Sequence, residues 1–321
     1  MADILNKLNS ANYVTVKVTD NAITNGNNLL AAYANAKTKT PNGAALSASN
    51  RLAVILPPAI YDLGTQSLTL DTQYIDIIGS TTDREKHHIK SNVGVISTGT
   101  VMQTANDVKL YNLKIENTNT TYSKILDDTD AAAYFPDSNL NLTYIENVKF
   151  LSNDSYIWTM RISIEYSGTF INCTGGRLSF GGGYAIGGTI SGTFKDCTGG
   201  NYSFAGTAGF GNGTISSTAV LENCTGGELS FGGCIFSSTV DGIFLNCTGG
   251  TGSFGGNYGS TIGSTAVFKN CTGGDLSFGS NGTAGGTFEN CSGGVSSFGG
   301  SGGTASGTFI DCNGGDGSFN L

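Results

Sequence analysis

Three short stretches hold most of the residues in this sequence that could act on a substrate. "LDDTD" supplies Asp127, Asp128 and Asp130 within five positions. Paired carboxylates are what sugar hydrolysis requires, one as acid and one as base or nucleophile. An isolated acidic loop in a mildly acidic chain is also what simple solvation looks like. "NDSYIWTMRISIEY" carries Tyr156, Trp158, Arg161, Glu165 and Tyr166. In an unbroken strand, residues two apart share a face, so Tyr156 and Trp158 would form a platform for sugar rings, with Tyr166 close by in sequence. The same aromatics suit a core or a subunit interface, and Arg161 with Glu165 suits a surface ion pair. "DREKHH" holds His87 and His88, the only two histidines. As strand neighbours they point to opposite faces, which argues against a shared role.

The eight cysteines are the other reactive set, and seven recur at one place in a repeat: Cys173, Cys197, Cys224, Cys247, Cys271, Cys291 and Cys312. Metal binding needs ligands converging on a tetrahedron, which a linear series does not supply. Directly stacked side chains rarely reach the disulfide dihedral. The expectation is buried free thiols acting as small apolar fillers, with no metal and no cofactor.

These residues must be held by a repetitive scaffold. From "GTFINCTGGRLSF" onward, an inward-type Phe recurs at Phe170, Phe194, Phe244, Phe268, Phe288 and Phe309, with Leu221 substituting in the third unit. A second recurs ten residues later at Phe180, Phe204, Phe231, Phe254, Phe278, Phe298 and Phe319. A fixed internal spacing with a repeat of about 20–27 residues is the mark of a solenoid. The units are Gly, Thr, Ser and Phe, so their elements are strands and turns. The position after the first Phe accepts Ile, Lys, Glu and Leu, so it faces water and its neighbour faces in. The next residue is Asn172, Asp196, Asn223, Asn246, Asn270, Asn290 or Asp311. Asn and Asp tolerate left-handed backbone, so this column is read as a bend with side chains bonding from coil to coil. The bend shifts the parity and turns the following Cys inward.

The pattern continues upstream in degraded form. "LKIENTN" places Ile115 and Asn117, and "YIENVKF" places Ile145 and Asn147, as the inward residue and the bend. "NGNNLLAAYANAK" reads as a helix over 25–37, with Leu29, Leu30, Tyr33 and Ala34 on one face. Such a helix would cap the open first coil. The predicted architecture is all-β: a parallel β-helix of about ten coils with a short N-terminal helical cap. Its parts are an arm and capping helix over 1–50, irregular coils over 51–167 and regular repeats over 168–321.

Composition narrows the partners. Charged residues are 12% of the chain, with 24 acids against 16 bases. That excludes the clustered Lys and Arg on which non-specific nucleic-acid binding relies. No apolar run spans a bilayer, and the start lacks a basic stretch followed by an apolar core. The last repeat ends at "GDGSFNL" without a polar cap, so the expectation is either a truncated sequence or an end that docks on another chain.

The order of a helix, "ILPP" followed by "IYDLG", "YIDIIG" and then Asn-bearing coils resembles the pectin-lyase-like superfamily of right-handed parallel β-helices over about residues 20–321, which implies a right-handed parallel β-helix here. The segment over 25–63 is similar to the start of β-helices in phage tail spikes and related virion proteins. The resemblance implies a structural virion protein, either tail-spike-like, fibre-like or capsid-decorating. It would assemble in a host cytoplasm as a homotrimer, contact other virion proteins and bind host-surface polysaccharide. Two alternatives stand beside it: a polysaccharide lyase or glycoside hydrolase on the irregular coils, and a bacterial surface or filament-forming protein. Fold alone does not choose between them.

Overall fold

The structure is a computed structural model that describes residues 12–94, 98–119, 132–136, 143–152, 165–182, 188–207, 212–234, 237–256 and 259–319. The chain is a parallel β-solenoid of about eight turns with one short N-terminal helix. The count is lower than the ten coils read from sequence. It divides into two compact units. The first comprises Met1–Ser123 with Thr129–Asp154, and the second comprises Lys124–Asp128 with Ser155–Leu321.

The first unit contains β1 (Tyr13–Thr15), α1 (Ala22–Ala36), β2 (Leu52–Leu56), β3 (Ala59–Asp62), β4 (Leu68–Leu70) and β5 (Ile75–Gly79). It continues with β6 (His87–Ser91), β7 (Gly99–Gln103), β8 (Lys109–Asn117), β9 (Ala132–Pro136) and β10 (Tyr144–Ser152). Strands β1, β2, β5, β8 and β10 lie side by side in parallel, and β3 and β6 extend the same sheet to β8. Strands β4, β7 and β9 form a separate wall. α1 begins where Asn21 accepts the Thr24 amide, a standard N-cap. It buries Leu29, Ala32, Tyr33 and Ala36, whereas Ala34, read from sequence as part of the apolar face, is exposed. Gly26 is required here. A Cβ on it would lie 2.0 Å from the Asp62 carbonyl oxygen, because α1 rests directly on the end of β3.

The second unit repeats one coil. Its first wall is β12 (Thr169–Ile171), β14 (Thr193–Lys195), β16 (Val220–Glu222), β18 (Ile243–Leu245), β20 (Val267–Lys269), β22 (Thr287–Glu289) and β24 (Thr308–Ile310). Its second wall is β11 (Glu165–Tyr166), β13 (Thr189–Ile190), β15 (Thr214–Ile215), β17 (Thr239–Val240), β19 (Thr261–Ile262), β21 (Thr283–Ala284) and β23 (Thr304–Ala305). A third side is a run of parallel bridges through Thr174, Thr198, Thr225, Thr248, Thr272, Ser292 and Asn313. Equivalent residues pair in register, Phe170 with Phe194 and Phe244 with Phe268.

Two ring stacks fill the interior. The second column is unbroken, from Phe180–Phe204 at 4.9 Å between centroids to Phe298–Phe319 at 4.7 Å. The first is interrupted at Leu221 and resumes with Phe244–Phe268 at 4.6 Å. Between columns the rings meet edge-on, as in Phe268–Phe278 at 90°. Offset and edge-on pairs like these add about 0.5–1.5 kcal/mol each beyond burial. All eight cysteines are free thiols. Burial pushes the Cys224 and Cys271 thiols up, so they stay protonated. Each donates to a carbonyl of the coil before, Cys224 Sγ to Phe194 O and Cys271 Sγ to Phe244 O. In the last coil Phe309, Phe319 and Cys312 are only half-buried, because no described coil covers them.

The Asn and Asp column is left-handed throughout, with φ between 50° at Asn172 and 54° at Asp196 and Asn246. Asn223 donates to Asp196, Asn246 to Asn223 and Asn270 to Asn246, at 2.8–3.0 Å. The second Phe column is left-handed too, from φ 51° at Phe180 to 57° at Phe319. It therefore sits in a corner rather than on a strand. That corner is closed by a buried Ser just before it: Ser203, Ser230 and Ser277 donate to the carbonyls of Gly200, Gly227 and Gly274 at 2.7–2.8 Å.

Candidate functional site

Among the described residues, titratable and aromatic side chains gather on the outer face of the first unit's sheet. The reason is local. Asn112 and Asn147 are left-handed, at φ 57° and 55°, and break β8 and β10 each into two runs. Asn147 Nδ2 donates to Asn112 Oδ1 at 2.8 Å, and Asn112 Nδ2 to the Gly79 carbonyl. The bend of this coil is thus Asn112. Asn117, read as the bend from sequence, is buried and donates to the Val93 carbonyl. The longer strand shifted the apparent period by one half-run.

On one side of this ridge the outward columns are Ile60, His88, Lys114 and Lys149, then Asp62, Lys90, Glu116 and Leu151. His88 Nε2 lies 2.6 Å from Glu116 Oε2, and Lys114 Nζ lies 3.7 Å from the same oxygen. Lys90 pairs with Asp62 at 3.1 Å and Lys149 with Glu85 at 2.9 Å. Burial, and then the charge of Lys114, hold His88 below the usual histidine range, so at neutral pH it stands uncharged beside the Glu116 carboxylate. Burial pushes the Asp62 carboxyl up, but the Gly64 amide and Lys90 outweigh it and leave it low. Lys149 lowers Glu85. His87 faces the other way, fully buried, with its Nδ1 unpartnered.

On the other side lie Asp76, Lys109 and Tyr144, then Ile55, Ile78, Tyr111 and Glu146. Tyr111 and Tyr144 meet at 5.5 Å with 38° between planes. Tyr144 donates to Glu146 at 2.9 Å, and Lys109 Nζ stands 5.7 Å above the Tyr144 ring. Beneath them Arg51 grips Asp76 with two bonds, of 2.8 and 2.5 Å, and also donates to the Asp107 carbonyl. The Lys109 amide donates to Asp76 as well. This pair is structural, since Arg51 Nε and Nη2 are spent on Asp76 and the Asp107 carbonyl.

The residues singled out in sequence fare differently. Asp127, Asp128, Asp130, Tyr156, Trp158 and Arg161 lie outside the described residues. Glu165 is exposed and accepts from Ser191 at 2.5 Å. Tyr166 is 3% exposed and packs on Phe170 at 6.2 Å, so it is part of the interior and not a sugar platform. The Tyr111–Tyr144 pair went unread. Its signal was the spacing of each Tyr from the bend Asn of its own coil, one position before Asn112 and three before Asn147. No group of three or more His, Cys, Asp or Glu is placed to hold a metal among the described residues. Among them, no helix is long and apolar enough to cross a membrane.

No family model matches the sequence, and no curated protein does. Solved structures to which the chain is similar are pectin methylesterases. PemA from Erwinia chrysanthemi is 12% identical with a TM-score of 0.36, covering 88% of this chain and 78% of that one. The rice weevil enzyme is 13% identical with a TM-score of 0.38, covering 95% and 87%. The Yersinia enterocolitica enzyme is 12% identical with a TM-score of 0.30, covering 79% of each.

Proposed function

We propose that this chain is a carbohydrate-binding β-solenoid whose early coils hold a polysaccharide along their outer wall. One observation carries the reading. Tyr111 and Tyr144 meet at a tilt on consecutive coils, flanked by Lys109 and Glu146, beside the charged columns of His88, Lys114, Glu116 and Lys90. Aromatic faces for sugar rings next to fixed hydrogen-bonding groups are the usual makings of a glycan site. The second unit repeats one coil in register and suits a shaft. Such a shaft fits an appendage of a phage particle or a cell surface, made of self-associating copies and joined to other virion proteins.

Affinity electrophoresis against a panel of neutral and acidic polysaccharides tests the binding. Tyr111→Ala and Tyr144→Ala should each weaken retention about tenfold, the equivalent of roughly 1.4 kcal/mol. Retention of no polysaccharide, or equal retention by both variants, would overturn the reading. The contact between His88 and Glu116 favours a second reading, an enzyme that uses this carboxylate in acid–base chemistry. Release of reducing ends or methanol from pectin that vanishes in Glu116→Gln would establish it.

A further inference from the structure

The outward column after the first Phe is Ile171, Lys195, Glu222, Leu245, Lys269, Glu289 and Ile310, in register along the whole first wall of the second unit. The inward Phe, bend and Cys columns are nearly constant because every coil needs them. This column is free to vary, yet it repeats apolar, Lys, Glu with a period of three coils. Lys195 pairs with Glu222 at 3.0 Å and Lys269 with Glu289 at 2.6 Å. Avoiding stacked like charges explains why a Lys adjoins a Glu. It does not explain why the order is the same both times, nor why the remaining outward places are apolar, with Ile310 47% exposed.

Reversal explains both. Read against itself from the other end, the column sets Ile171 on Ile310, Lys195 on Glu289, Glu222 on Lys269 and Leu245 on Leu245. The outward column before the Phe is Thr169, Thr193, Val220, Ile243, Val267, Thr287 and Thr308. It reads the same in both directions, with Ile243, 36% exposed, at its centre.

We infer that this wall binds a second copy of the chain face to face, with the two solenoids antiparallel. The two-fold axis runs along β18, through Leu245. A two-fold axis in that direction lays each column on its own reversed copy, which is the isologous arrangement of a symmetric dimer. A parallel pair or trimer at equal height would set Lys195 on Lys195 and Glu222 on Glu222. A parallel pair shifted by one coil would leave half of the charges facing Ile or Leu, where the reversed pair leaves none. Seven coils at about 4.8 Å apart give a strip about 29 Å long. With a width of about 15 Å it buries roughly 900 Å² over both partners, at the low end for specific association. The dimer therefore forms and dissociates with concentration.

Sedimentation equilibrium of the full chain tests this with exchanged charges. Lys195→Glu with Glu222→Lys preserves the pair within each chain but sets Glu on Glu and Lys on Lys across the axis. It should weaken dimerisation at least about tenfold. Adding Lys269→Glu with Glu289→Lys restores every cross-pair and should restore the dimer. Mixed Ile171→Cys and Ile310→Cys chains should cross-link to each other, and neither to itself. A monomer at all concentrations, a parallel trimer, or an exchange without effect would each overturn the inference.

Discussion

At the residue scale, the coil depends on two kinds of left-handed residue. The Asn column was legible, because Asn and Asp at one invariant slot leave little but a bend. The left-handed Phe was not, since a bulky residue at positive φ costs about 1–2 kcal/mol and is ordinarily excluded. It is tolerated here because full burial returns about 1.5–3 kcal/mol and stacking adds more. Its signal was the Ser before it, whose side chain reaches back to close the corner. Asn246→Ala removes two ladder bonds and a residue suited to φ 54°. It should lower stability by about 1–3 kcal/mol. Phe254→Ala opens the stack on both sides and should cost about 3–5 kcal/mol. Urea denaturation of the two variants should rank them in that order. Equal midpoints would mean that the ring column is not what holds the coils.

At the element scale, the first unit is specified by buried polar contacts more than by repetition. The sequence showed α1 and the strands around it, yet it misplaced the bend of β8. That strand runs through Asn112 to Asn117, so two Asn residues compete for one role, and only the pairing with β10 decides. Its two histidines give a pH dependence whose sign is fixed. Burial holds His87 and His88 below the ordinary histidine value of about 6.5. The unfolded chain then binds more protons than the folded one below that pH. Stability is full above about 6.5 and falls as the pH drops through it. Melting temperature should decline between pH 7.5 and 5.5, and His87→Gln with His88→Gln should flatten the decline, as read by circular dichroism. Arg51 and Asp76 act on the same element pair. Arg51→Met leaves a buried carboxylate unpaired and should cost about 3–5 kcal/mol.

At the scale of the whole molecule, a solenoid separates what folds it from what it presents. Each coil of the second unit contacts its neighbours in the same register, so removing a whole coil should spare the fold. Outward columns do not share that tolerance. Deleting residues 269–288 joins Phe268 to Glu289 and removes Lys269, leaving Ile, Lys, Glu, Leu, Glu and Ile outward. Reversal then sets Glu222 on Leu245, and dimerisation should be lost while the strand spectrum persists. Deleting residues 245–309 joins Phe244 to Ile310 and removes one full three-coil period. The remaining Ile171, Lys195, Glu222 and Ile310 again complement their own reversal, so association should return over a shorter strip and with lower affinity. Sedimentation of the two deletions separates a periodic interface from a generic sticky wall, because a wall of the second kind would weaken steadily with length.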